Sequence, residues 1–197
     1  DYHCLPVGNA GNITAHWIGY CEYSTPVGET VTQSCSFCNG KCTFACEPVI
    51  SNRPKMLGYQ ASGSAPFVRG GPVKNPETVA TAIRIGNPQS YDQALKVMSE
   101  SGGWFDELSD QEILDTQRLL AMSEGIFCEP ASAASLGGAI RDIKSGKIAE
   151  GSVIVCTLTG NGLKDPDTAI GQCQSSVLKT IDATLDQVRD SILQSMG

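Results

Sequence analysis

The sequence predicts an α/β fold in which an open, mostly parallel sheet is flanked by helices. Three observations predict it. Short apolar runs alternate with helical periodicity from both ends of the chain. Glycine- and asparagine-rich turns follow the strand-like runs and open the next helix. The β-branched run Ser152-Val153-Ile154-Val155-Cys156 is short, bounded by turn residues, and reads as a buried strand. Strands that alternate with helices are joined by crossovers, and crossovers make parallel neighbours.

Taken in order, residues 1–7 read as a strand ending at Pro6-Val7. The turn 8–12 follows, then a helix from Ile13 to Tyr23. Met56 to Gln60 is a second strand. Pro76-Glu77 opens a helix through Ile83-Arg84, since proline suits the first turn and glutamate its positive end. Tyr91 to Ser99 forms a helix that Gly102-Gly103 stops, and Trp104 to Leu108 is a strand. Ser109 and Glu112 form a capping box ahead of Ile113, Leu114, Gln117, Leu120 and Ala121 at helical spacing. Gly125 to Cys128 is strand-like, and Pro130 starts a helix through Ala139, Ile140 and Ile143. After the strand 152–156, a last amphipathic helix runs from Leu185 to Leu193.

With 197 residues, the chain is long enough to bury a real core. Its 41% hydrophobic and 18% charged residues are the composition of a folded protein. A formal charge of −7 excludes a broad phosphate-neutralising face, so no nucleic acid and no polybasic membrane contact is expected. No apolar run nears the ~20 residues that cross a bilayer. The opening Asp1-Tyr2-His3-Cys4-Leu5 lacks the basic and apolar stretches of a secretion signal. It starts directly on strand-like sequence, so a piece of a longer protein is expected.

The nine cysteines divide unevenly. Cys4, Cys128 and Cys156 lie in apolar runs, where a thiol behaves as a small hydrophobe. An odd count without a secretion signal points to a reducing, cytoplasmic setting. Cys35, Cys38, Cys42 and Cys46 crowd into residues 24–53, which show neither period and read as an insertion or irregular loop within one domain spanning 1–197. Four thiolates at this spacing suffice for tetrahedral zinc or an iron–sulfur cluster, but they lack the usual two-knuckle separation.

Three segments could carry chemistry. Gly8-Asn9-Ala10-Gly11-Asn12 joins a strand to a helix; its glycines allow close approach and the helix start supplies free donors, which suits a phosphoryl group. A tight βα turn would use the same residues. Thr157 to Pro166 follows the strand 152–156, where ligands of open parallel sheets sit, and places the Thr159 hydroxyl where it could meet a ligand, with Gly160 and Gly162 allowing the approach; an ordinary strand-to-loop exit would use the same residues. Glu129-Pro130-Ala131-Ser132-Ala133-Ala134-Ser135 places a carboxylate at a strand end, as ligand contact or helix cap. Arg84 could meet an anionic substrate or simply be solvated, whereas His3 and His16 have no catalytic constellation and default to surface or packing roles.

Gly8 to Thr14, Ala82-Ile83-Arg84-Ile85-Gly86-Asn87-Pro88, Glu129 to Ser135 and Thr157 to Pro166 together resemble the threonine synthase family, in its cyanobacterial form. The likeness covers residues 1–23 and 53–197. It implies the large domain of a pyridoxal 5'-phosphate enzyme of the tryptophan-synthase-β fold type, with the N-terminal part missing and a sheet edge left unpaired. It implies that Gly8, Asn9, Ala10, Gly11 and Asn12 hold the cofactor phosphate and that Thr159 bonds the pyridine nitrogen, a neutral hydroxyl giving a milder electron sink than a carboxylate. The implied reaction turns O-phospho-L-homoserine and water into L-threonine and phosphate. The implied partners are that small molecule and, where the enzyme assembles, a second copy in a homodimer.

The sequence departs from the family in two ways. The lysine that anchors the cofactor lies in a Ser-Phe-Lys-Asp-like motif, and none of Lys41, Lys55, Lys74, Lys96, Lys144, Lys147, Lys164 or Lys179 stands in such a setting. That residue is also the proton carrier, so the chain alone is expected to be inactive and no residue in it is assigned as catalytic. The cysteine cluster is the other departure. A threonine or serine dehydratase of the same fold type, and a non-catalytic metal-binding module around Cys35 to Cys46, are the rival readings.

Overall fold

A computed structural model describes residues 1–24, 49–172 and 180–195. The cysteine cluster and Cys173 lie outside them. The strands are β1 (Tyr2–Pro6), β2 (Lys55–Ala61), β3 (Trp104–Leu108) and β4 (Ile154–Cys156). The α-helices are α1 (Gly11–Tyr23), α2 (Pro66–Arg69), α3 (Tyr91–Ser101), α4 (Asp110–Glu124), α5 (Pro130–Lys144), α6 (Pro166–Gln172) and α7 (Leu185–Ser195). The chain falls into two units, Asp1–Asp165 and Pro166–Gly197, each described by itself. The second contributes α6 and α7; α7 is exposed along nearly its whole length.

In the first unit the four strands form one parallel sheet in the order β3-β2-β1-β4. The chain starts at β1 in the interior, steps outward through β2 to β3, and returns across the sheet to β4 on the other side of β1. The winding direction therefore reverses between β1 and β4. In such sheets that reversal opens a crevice beyond the carboxyl ends of the two strands.

Alternation along the strands divides the core into two layers. Leu5, Val7 and Met56 pack with Ile13 and Trp17 of α1 and with Ala94 and Val97 of α3. Cys4, Leu57 and Tyr59 pack on the opposite side with Ile113 and Leu120 of α4 and the alanines of α5. Close approach of α5 depends on Gly138, where any Cβ would overlap the Tyr59 ring. Asp142 of α5 is buried and accepts from the Tyr59 hydroxyl at 2.7 Å and the Trp104 indole at 2.8 Å. A buried carboxylate is tolerated when donors converge on it in this way.

The capping box forms as the sequence predicts: Ser109 accepts from the Glu112 amide, and Glu112 accepts from the Ser109 amide. Three expectations are corrected. Residues 76–84 form no α-helix, only a single 3-10 turn at Thr81–Ile83. Their backbone is engaged elsewhere: the Val79 amide and the Thr78 hydroxyl bond the Asp110 carboxylate, and the Glu77 amide bonds the Gly63 carbonyl. Gly125, at φ 68°, closes α4, and residues 126–128 form no strand of the sheet. They run beside residues 160–162 instead, through the Cys128–Asn161 bridge and the bond from the Gly162 amide to the Phe127 carbonyl. Finally, the strand expected over 152–156 is confined to Ile154–Cys156 and is not buried. Val153 and Val155 are 67% and 51% exposed, because β4 is the last strand of the sheet.

Cys4 and Cys128 are buried free thiols as expected, while Cys156 is half-buried; Cys21, in α1, is buried as well. No helix among the described residues is long and apolar enough to cross a membrane.

Candidate active site

The loop 8–12 leaves the carboxyl end of β1, and residues 157–162 leave that of β4, so the two flank the reversal point. Gly8 is required for packing: a Cβ there would stand 3.0 Å from the Ala82 carbonyl and 3.2 Å from both Ile83 and Ile85. Gly11 is different. A Cβ there would meet nothing within 4 Å, so space lies open before the first turn of α1.

Ala10 adopts the left-handed conformation, φ 63°, and is the single non-glycine residue with positive φ among those described. It occupies the cap position of α1, and no side chain caps the helix. The αL turn leads straight into the first helical residues, whose amides precede the first intrahelical bond, from the Thr14 amide to the Ala10 carbonyl, and have no partner within the helix. Backbone of this shape, at the positive end of a helix dipole, is suited to an anion. Holding alanine in αL costs about 1 kcal/mol, a strain expected where function requires the shape. Neighbours brace the loop: Asn9 accepts from the Ser90 amide at 3.1 Å through its carbonyl and from the Gln89 amide at 3.4 Å through its side chain. The segment 82–90 thus wraps the loop, and exposed Arg84 lies within it.

On the β4 side, exposed Thr159 sits in a small polar network. Its hydroxyl is 3.0 Å from that of buried Ser132, which also accepts from the Gly160 amide at 2.8 Å. Glu129 is buried, and its carboxylate accepts from Thr159 at 3.4 Å. It occupies the position that a Cβ on Gly160 would fill, and its own amide bonds the Gly160 carbonyl at 3.0 Å. Although Glu129 precedes α5, its carboxylate does not cap that helix. The cap reading gives way to a contact with the Thr159 loop.

Sequence reasoning passed over Ser132 as a small residue of a motif, although it ties Thr159 to Gly160. It also gave His3 and His16 only default roles. His3 is buried, and burial, then the neighbouring His16, lower its pKa from 6.5 to about 4. Burial raises the Tyr20 pKa, so the phenol keeps its proton; its oxygen lies 3.0 Å from His3 Nδ1. His3 Nε2 lies 2.7 Å from Thr157 Oγ1, and the neutral imidazole donates through one ring nitrogen and accepts through the other. His16 Nδ1 donates to the Asn12 carbonyl at 2.9 Å. The signal for both was their position, one on β1 and one a helical turn beyond Asn12.

A parallel sheet wound both ways from β1, with two loops at the reversal point, defines an open α/β domain of the class that takes its ligands in that crevice. Comparison with known proteins narrows the class. The model of the family described as pyridoxal-phosphate dependent enzymes matches residues 1–160, and the chain belongs to that family. It is 44% identical over 188 residues to the threonine synthase of Synechocystis sp. (strain ATCC 27184 / PCC 6803 / Kazusa), covering 95% of this chain and 43% of the relative. To the threonine synthase of Mycobacterium tuberculosis (strain ATCC 25618 / H37Rv) it is 51% identical over 170 residues, covering 86% and 41%. The chain thus spans under half the length of these relatives. Among solved structures, a fungal L-serine ammonia-lyase from Rhizomucor miehei superposes with a TM-score of 0.59 at 17% identity, covering 87% of this chain and 50% of that one. That likeness shows the shared fold.

Proposed function

We propose that this chain is the part of a threonine synthase that holds the two ends of pyridoxal 5'-phosphate. The amides at the start of α1, within Gly8 to Asn12, bind its phosphate; Thr159 meets its pyridine nitrogen. Once bound, the cofactor ring draws electrons from the bonds at the substrate's Cα. The chain's own residues orient it: the loop fixes one end through backbone donors, and the β4 exit fixes the other through one hydroxyl. Exposed Arg84, in the segment wrapping the loop, is a cation available to the phosphate of O-phospho-L-homoserine. The lysine that bonds the cofactor covalently comes, in this reading, from the length that the relatives have and this chain does not span. The same reading carries a cytoplasmic location and a homodimer.

The observation that supports it most is the uncapped, open start of α1 beyond Ala10, at the point where the sheet reverses. The test is turnover by the full-length protein: L-threonine and phosphate formed in equal amounts from O-phospho-L-homoserine, only with the cofactor present. Gly11→Asp, which places a carboxylate before the helix start, is expected to weaken cofactor binding at least tenfold. Cofactor affinity unchanged in that variant overturns the assignment of the loop, and deamination of serine or threonine without synthesis overturns the substrate.

A further inference from the structure

We propose that His3 is a positioning residue: it pins α1, whose start holds the cofactor phosphate, to the exit of β4, which holds the ring, and so fixes the distance between the two ends of the pocket. The proposal rests on the reading of those two exits as the holders of pyridoxal 5'-phosphate, and it adds a residue that lies outside both loops.

The period of β1 asks for an apolar side chain at this position. His3 shares a face of the strand with Leu5 and Val7, which pack against α1 and α3, and it is 3% exposed. A buried imidazole costs stability unless its nitrogens find partners, and both do. Nδ1 lies 3.0 Å from the Tyr20 hydroxyl on α1, and Nε2 lies 2.7 Å from the Thr157 hydroxyl at the β4 exit. Each partner is a hydroxyl, able to donate or to accept, so either neutral tautomer satisfies both bonds.

The His3 ring has little freedom to move. The rings of His16 and Tyr20, one helical turn apart on α1, stand edge to face against it with centroids at 4.8 Å and 5.7 Å. His16 in turn bonds the Asn12 carbonyl in the first turn of α1. Among the described residues, the last backbone bond between the β1 and β4 sides runs from the Thr157 amide to the Cys4 carbonyl at 3.0 Å. Past that rung the tie passes through side chains, from Thr157 to His3 and from His3 to Tyr20 and His16. A shift of α1 along β1 would move the phosphate site relative to the ring site, and these contacts oppose it. A ligand that spans two sites gains from both only when their separation matches its length.

The test uses the full-length protein and two ligands, pyridoxal 5'-phosphate and pyridoxal, which lacks the phosphate and so needs no match between the two exits. His3→Phe keeps a ring and removes both hydrogen bonds; Thr157→Val removes one of them from the β4 side. In each variant, calorimetric titration is expected to show pyridoxal 5'-phosphate bound at least tenfold more weakly than by the wild type, and pyridoxal bound within about threefold of it. His3→Gln, whose amide can donate and accept, is expected to recover most of the loss. An unchanged affinity for pyridoxal 5'-phosphate in either variant overturns the proposal. So does an equal loss for the two ligands, which would mark His3 as support for the fold alone. Should His3→Phe fail to fold, Thr157→Val decides by itself. Failure of the wild-type protein to bind pyridoxal 5'-phosphate at all removes the functional reading beneath the proposal, a result distinct from the others.

Discussion

The rings of His3 and His16 stand edge to face with centroids 4.8 Å apart, and each reaches one loop of the candidate site. His16 bonds the Asn12 carbonyl and His3 bonds the Thr157 hydroxyl, so two imidazoles link the exits of β1 and β4. Folding keeps His3 neutral, because its pKa falls from 6.5 to about 4 through burial and the proximity of His16.

The sign of the pH effect follows. Between pH 6.5 and about 4 the unfolded chain binds a proton at His3 that the folded chain does not. Stability from this residue is complete above pH 6.5 and falls as the pH drops towards 4, by about 3 kcal/mol. Urea unfolding at a series of pH values should show this slope in the wild type and a flatter one in His3→Gln. Equal slopes would rule out His3 as its source.

Gly8 and Gly11 should respond oppositely to alanine. Gly8→Ala drives a methyl into the 82–85 segment and is expected to cost about 1–3 kcal/mol. Gly11→Ala meets open space and should leave stability within about 0.5 kcal/mol while weakening cofactor binding. Denaturant unfolding beside a fluorescence titration with pyridoxal 5'-phosphate checks both. Equal loss of stability in the two variants would contradict the geometry.

Ser132→Ala removes the acceptor for the Gly160 amide and the neighbour of the Thr159 hydroxyl. The expected loss is about 1–2 kcal/mol. Faster amide hydrogen exchange at Gly160 is the specific readout, and unchanged exchange there would show that Ser132 does not hold the loop.

Asp142→Ala leaves the Tyr59 hydroxyl and the Trp104 indole without their shared acceptor. A destabilisation of about 2–4 kcal/mol is expected, larger than for Ser132→Ala because Tyr59 lies in the middle of the core. Thermal unfolding provides the comparison, and a smaller effect than in Ser132→Ala would contradict it.

Much of the fold was legible because the signals were local. Leu5, Val7, Ile13 and Trp17 keep strand and helix periods whose apolar faces meet, and Ser109 with Glu112 is a helix start written in two residues. Residues 76–84 misled for the opposite reason: Pro76 and Glu77 favour a helix locally, but Asp110, more than 25 residues on, accepts from the Thr78 hydroxyl and the Val79 amide. The strand at β4 was visible in its β-branched residues, yet burial depends on neighbours that a strand's own sequence does not specify. Position at the site was partly legible. Gly8 to Asn12 and Thr159 follow strands, but the adjacency of those strands depends on sheet order. The αL turn at Ala10 carries no residue signal, since alanine is not selected for positive φ. Glu129 and Ser132 acquire their meaning only through Gly160, on a different loop.

The exposure of Val153 and Val155 has a practical consequence. On its outer side β4 carries peptide groups with no partner strand among those described, beside valine methyls open to water. Such a row is a template for another chain, so the isolated 197-residue polypeptide is expected to self-associate as its concentration rises. Val155→Lys, a charge on that row, should delay the onset of turbidity without altering the helical content seen by circular dichroism.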